Sequence, residues 1–240
     1  MTDPSLREPF RYAQFCALAR AAEVVGHRWS LLILRELFHG PMRFRDLRDR
    51  LRDVSSSVLA ERLRELEARG VVRTRELPPP ASVGVYELTE DGRAFWPALV
   101  EITRWGARFL LRGGLREGDH TEPDWLRGAV LMFAPAGATP DHRVDFRVRG
   151  ARREVLVRVA GGPGGTRLAS EGEPAAEATV TGTLVECLGT MSGVLDPTAP
   201  PPGSTLQAEG DPAALRALTR LFAFDFGSTG PASAPGAPPH

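Results

Sequence analysis

Three consecutive hydroxyls, Ser55, Ser56 and Ser57, stand at the start of an apolar helical pattern. Arginines recur around them: Arg28, Arg43, Arg45, Arg62, Arg64, Arg73 and Arg75. Hydroxyls at a helix N-terminus and guanidinium forks hydrogen-bond phosphate oxygens and base edges, so this set has the chemistry of nucleic-acid recognition. All 30 basic residues are arginine, with no lysine. The choice of arginine over lysine therefore reflects composition, and only the positions are informative. Each arginine taken alone also reads as a solvated surface charge, worth little. Cys16 offers a thiol for redox or electrophile chemistry, or a small apolar side chain for packing. Cys16 and Cys187 are the only cysteines and the five histidines are scattered, so neither a disulfide framework nor a metal site is expected, and no cofactor. Glycine-rich phosphate loops, nucleophile elbows and zinc-hydrolase motifs are missing, so an enzyme is not expected.

The elements that must position these groups follow from turn signals. Gly26-His27-Arg28-Trp29 leads into the apolar run Ser30 to Phe38, and His39-Gly40-Pro41 stops it. Arg43-Phe44-Arg45-Asp46-Leu47 opens a second helix. Asp53 to Ser57 caps a third, Val58 to Arg69, which Gly70 ends. Leu59, Leu63 and Leu66 make its core stripe and leave Ser57 and Arg64 on the other side. Val71 to Arg75 and Val85 to Leu88 flank the proline-rich tip Pro78-Pro79-Pro80-Ala81-Ser82, expected near a minor groove. Arg73 and Arg75 alternate along their strand and so share one face. This order is that of a winged helix-turn-helix, whose third helix enters a DNA major groove. A further helix from Glu90 carries Phe95, Leu99, Ile102, Trp105 and Phe109 at helical spacing, a dimerisation stripe, with Pro97 placed to kink it.

Many of these motifs, in order, resemble the HxlR-type transcription regulators, relatives of the MarR group. The resemblance rests on Cys16, Gly26 to Leu37, Arg43 to Leu47, Leu59 to Leu66, Gly70-Val71-Val72 and Tyr86 to Gly92, and covers about residues 15 to 110. It implies a homodimer built through the outer helices, on a double-stranded DNA operator. It also makes Cys16 the match of an N-terminal cysteine that senses oxidants or electrophiles in some members. Here Ala17 replaces the proline that often follows that cysteine.

The two halves differ in charge. Residues 1–115 hold 19 arginines against 15 acidic residues, and residues 116–240 hold 11 against 15, for a formal net of zero. After a linker at 114–121, the second half alternates as strands at Val144 to Val148, Val155 to Val159 and Ala178 to Gly182, with a turn at Gly161 to Gly165. Thr183 caps a helix and Asp211-Pro212 opens another. Ala178 to Leu188, Met191-Ser192-Gly193 and Leu206 to Leu215 resemble the sterol carrier protein type 2 fold, although Pro200-Pro201-Pro202-Gly203 departs from its usual form. That resemblance implies an apolar pocket, for which Leu131, Phe133, Phe146, Leu184, Leu188, Met191, Leu195, Leu218 and Phe222 are the candidates. Most of these would be core in any fold.

The fold class expected is thus α+β: a winged helix domain at 10–113, a sterol-carrier-like α/β sandwich at 122–227 and a disordered tail at 228–240. The function expected is a dimeric, sequence-specific DNA-binding regulator controlled by a small apolar effector. The alternative is a regulator sensing oxidants through Cys16, with the second domain only a docking module. Nothing resembles a signal peptide or a membrane span, so a cytoplasmic location and no membrane partner are expected.

Overall fold

Turn chemistry sets the first boundaries in the computed structural model, which describes residues 11–78, 83–113, 116–170 and 172–224. Helix α1 (Ala17–Val25) follows Cys16, and α2 (Ser30–Phe38) buries Ile33, Leu34 and Leu37. Gly40, at φ +129°, ends α2. Helix α3 (Phe44–Leu51) buries Leu47 and Leu51 and stops at Arg52, which adopts φ +46°. Ser55 then accepts a hydrogen bond from the Val58 amide at 3.3 Å and starts α4 (Ser56–Ala68). Leu59, Leu63 and Leu66 of α4 are buried with Trp29, Ile33, Leu34 and Leu47 in one core. Strands β1 (Val72–Glu76) and β2 (Gly84–Leu88) form the antiparallel wing, with Arg73 opposite Glu87 and Arg75 opposite Val85. Met42, between α2 and α3, makes an isolated antiparallel bridge to Tyr86 at the edge of the two-stranded wing. The wing tip from Pro79 to Ser82 and the tail 228–240 lie outside the described residues.

The single helix expected from Glu90 is two. Thr89 caps α5 (Glu90–Ala94), and α6 (Trp96–Gly113) starts after Phe95. Pro97 accounts for the break. It has no N–H to donate to the carbonyl of Arg93, and its ring disfavours helical continuity through the preceding turn. Gly92 is required at the joint, because a Cβ there would lie 2.2 Å from the Val71 carbonyl oxygen.

The chain divides into two compact units, at Ile102 and Thr103, a point inside α6. In the second unit, α7 (Trp125–Phe133) precedes β3 (Arg143–Arg149), β4 (Glu154–Ala160), β5 (Arg167–Leu168) and β6 (Ala178–Thr183). Helix α8 (Leu184–Met191), β7 (Gln207–Gly210) and α9 (Pro212–Leu221) follow. The sheet order is β5-β4-β3-β6-β7; β3 and β6 are parallel and the other pairs antiparallel. Val144, Phe146, Val148, Val157, Val159 and Val180 alternate onto one face and share a core with residues of α7, α8 and α9. Asp145, on the other face, is held by Arg158 through two hydrogen bonds of 2.7 and 2.9 Å. Thr183 and Glu186 form a reciprocal cap at the start of α8. The whole is mixed α and β. Among the described residues no helix is long and apolar enough to cross a membrane.

Candidate nucleic-acid interface

Helix α4 buries its leucine stripe and so turns a fixed face outward. Ser55, Ser56, Ser57 and Arg64 are exposed on it. The Ser55 hydroxyl is occupied as the cap and lies 3.2 Å from the Ser57 hydroxyl. Arg64 makes no ion pair among the described residues, whereas Arg62, two positions earlier, is mostly covered. Glu65 (2.7 Å) and Glu61 (3.2 Å) hold the Arg62 guanidinium against the helix, so it does not project from this surface.

Around α4, Arg28 is exposed with its guanidinium 5.2 Å from the Trp29 ring centroid, a cation–π contact that keeps it flat on the domain. Arg43 and Arg45 are exposed at the start of α3, and among the described residues Arg45's ion pair is a 3.7 Å approach to Asp49. On the wing, Arg73 and Arg75 both bind Glu87, at 2.7–2.9 Å. Hydrogen bonds from Arg75 and Arg73 lower the Glu87 pKa, so this carboxylate stays ionised. Burial, with the nearby Arg62 charge, lowers the His27 pKa and favours its neutral form, which accepts a bond from the Trp29 amide.

Several positioning groups escape a reading of motifs. Glu36 is fully buried and binds Arg35 at 2.6 Å and Arg50 at 3.2 Å, tying α2 to α3. Glu67 accepts the Thr74 amide at 3.0 Å and fixes the wing to the end of α4. Their signal in sequence is only charge at a spacing that makes sense once the fold is known. The pairing of Arg73 with Glu87 is more accessible, since counting back from the hairpin puts them opposite.

The candidates for the other roles are distributed as follows. Phe95 packs against the first core and Leu99 is buried, whereas Ile102, Trp105 and Phe109 are exposed, together with Leu110. Cys16 is exposed at the start of α1; Cys187 is enclosed, and burial pushes its thiol pKa up to about 12. Of the proposed pocket residues, Phe133, Phe146, Leu184, Met191, Leu218 and Phe222 are buried, Leu188 and Leu195 are partly covered, and Leu131 is exposed. An open concavity of about 310 Å³ lies where α8 and α9 end, lined by Met191, Ser192, Thr219, Phe222, Ala223 and Phe224. Phe133 and Phe224 stack beside it with centroids 4.1 Å apart.

Residues 24–113 match the family model described as HxlR-like helix-turn-helix. The chain is 38% identical over 92 residues to the uncharacterized HTH-type transcriptional regulator YvaP of Bacillus subtilis (strain 168), covering 38% of this chain and 84% of that protein. It is 36% identical over 93 residues to the HTH-type transcriptional regulator YodB of the same organism, covering 39% and 83%. Among solved structures, the reduced form of YodB from B. subtilis is 34% identical with a TM-score of 0.37, covering 42% of this chain and 99% of that one. The redox regulator HypR in its oxidized form is 28% identical with a TM-score of 0.36, covering 38% and 95%. With residues 24–113 matching the family model, and with YvaP and YodB more than 30% identical over 84% and 83% of their lengths, the chain belongs to the HxlR-like helix-turn-helix family of transcriptional regulators.

Proposed function

We propose that the protein is a homodimeric, sequence-specific DNA-binding regulator in which α4 reads the major groove. The observation that carries this is the outward face of α4: three exposed serines at its N-terminus and an exposed Arg64, without an ion pair among the described residues, above a fully buried leucine stripe. Serines let the helix end approach the DNA closely, and Arg64 has both edges of its guanidinium available for a base. Arg28, Arg43 and Arg45, with Arg73 and Arg75 on the wing, hold phosphates and set the register, without reading sequence themselves. The homodimer is supported by unshielded apolar surface. Phe15, just before α1, and Leu18 on it are exposed, as are Ile102, Trp105, Phe109 and Leu110 on α6. Large aromatic groups left in water on a helix mark a surface for association. Two recognition helices then sit about 34 Å apart on one face of a near-palindromic site.

We propose that the second unit, by its resemblance to sterol carrier protein type 2, binds a small apolar effector that shifts DNA affinity. The open concavity bordered by Phe222 and Phe224, with Ser192 and Thr219 beside them, is the place this reading assigns to the effector. A second reading, sensing through Cys16, is favoured by the exposure of that thiol and the burial of the other. Its partner is then the Cys16 of a second copy or an electrophile.

Selection from a random duplex pool by the full chain tests the leading reading. Enrichment of a near-palindrome bound by a dimer supports it. An unenriched pool, or tight binding to one half-site by a monomer at micromolar concentration, overturns it.

A further inference from the structure

One carboxylate on the wing grips two arginines. Glu87 lies opposite Arg73 across the hairpin and diagonal to Arg75, on the same face. Its Oε1 accepts Nε and Nη2 of Arg73, at 2.8 and 2.7 Å, and its Oε2 accepts Nε of Arg75 at 2.9 Å. The carboxylate is covered, with 8% of its side chain exposed, whereas the arginines above it are 58% and 43% exposed. Both guanidiniums are thus held by their inner edges, and their outer N–H groups face solvent.

We propose that Glu87 is a positioning residue for DNA: it presets Arg73 and Arg75 as two outward forks for the phosphate backbone. The inference rests on the reading of the wing as a DNA contact. A guanidinium has five N–H donors in a rigid plane, so binding one edge to a carboxylate leaves the other edge for a phosphate. A free arginine must give up rotamer freedom when it meets a phosphate; one already held by Glu87 has less to lose. The opposing effect is repulsion between Glu87 and the phosphate. Glu87 lies beneath two cations, the trio keeps a net charge of +1, and salt screens the remainder, so preorganisation wins.

The test uses the full chain and a duplex that it has itself enriched from a random pool. The R73A/R75A double variant should bind more weakly and flatten the salt dependence by about two units of slope per protomer, or about four for the dimer. E87Q alone should weaken binding about tenfold while leaving the salt slope as in the parent, because both arginines still reach phosphates. Placed in the R73A/R75A background, the same E87Q should no longer weaken binding and should tighten it slightly, since only repulsion is left to remove. Weakening by E87Q in both backgrounds would mean general damage to the wing and would overturn the proposal. Tightening in both would make Glu87 a simple repulsive charge and would overturn it equally. If R73A/R75A bound like the parent, the wing would not touch DNA, and the underlying reading would fail first.

Discussion

Two arginines on α4, Arg62 and Arg64, should behave oppositely, and the difference can be worked out from their surroundings. Arg64→Ala removes an exposed guanidinium that makes no ion pair among the described residues. No folded-state ion pair is lost, so stability should change by less than about 0.5 kcal/mol. If Arg64 grips a base through two hydrogen bonds, the substitution costs roughly 1–3 kcal/mol of discrimination at one position, about 5- to 150-fold. Arg62→Ala removes a group that is 13% exposed and held by Glu61 and Glu65. Its loss uncovers a largely buried group and should cost about 1–2 kcal/mol of stability, and it should leave sequence preference untouched. The assay is competition binding against every single-base variant of the selected duplex at one salt concentration, with a urea melt of each protein. Parent-like preference ratios for Arg64→Ala, with altered ratios for Arg62→Ala, would refute the assignment of the reading face.

Three further outcomes rest on other contacts. Arg50→Ala leaves the buried Glu36 carboxylate with less compensating charge, which should destabilise the α2–α3 contact by about 3 kcal/mol; amide exchange across those helices should quicken about a hundredfold, and unchanged protection would show that the pair holds nothing. Trp105→Glu puts a charge into the exposed aromatic stripe of α6 and should shift the protein to monomer in sedimentation at micromolar concentration, while a persistent dimer would move the interface elsewhere. Burial raises the Glu186 pKa, but bonds from the Ser204 hydroxyl, the Thr183 amide and Thr205 outweigh it and bring the value down from 4.5 to about 2. Its contribution is therefore fully present above about pH 4.5 and is lost as pH falls towards 2. Glu186→Gln should flatten the acid limb of stability in that window, and an acid limb as steep as the parent's would contradict the linkage.

Elements with local punctuation are legible in the sequence. The Ser55 and Thr89 caps and the stops at Gly40 and Gly70 act within one turn of chain, so they can be read without the fold. Pro97 signals a kink, and in the structure it ends one helix and starts another, because its missing N–H interrupts the hydrogen-bond ladder. Helix α7 is harder, since Ala129 to Phe133 is a continuous apolar run with no period to separate helix from strand. Stripes of apolar residues also do not say what covers them. Phe95 and Leu99 belong to the same pattern as Trp105 and Phe109, yet the first pair is shielded within the chain. Likewise Phe146 and Leu218 read equally well as pocket wall or core, and both are buried. The pairing of Glu87 with Arg73 follows from counting across the hairpin, but its second grip on Arg75 needs the side-chain geometry, and that of Glu36 on Arg50 needs the packing of two helices.

The most direct test of α4 as the reading helix is a structure of the full chain on its selected duplex. The expected result is two copies, with the N-terminus of α4 in successive major grooves, Arg64 within hydrogen-bond distance of a base edge, and Arg73 and Arg75 on phosphates. A complex in which α4 faces away from the DNA, or in which Arg64 touches only solvent, would contradict it.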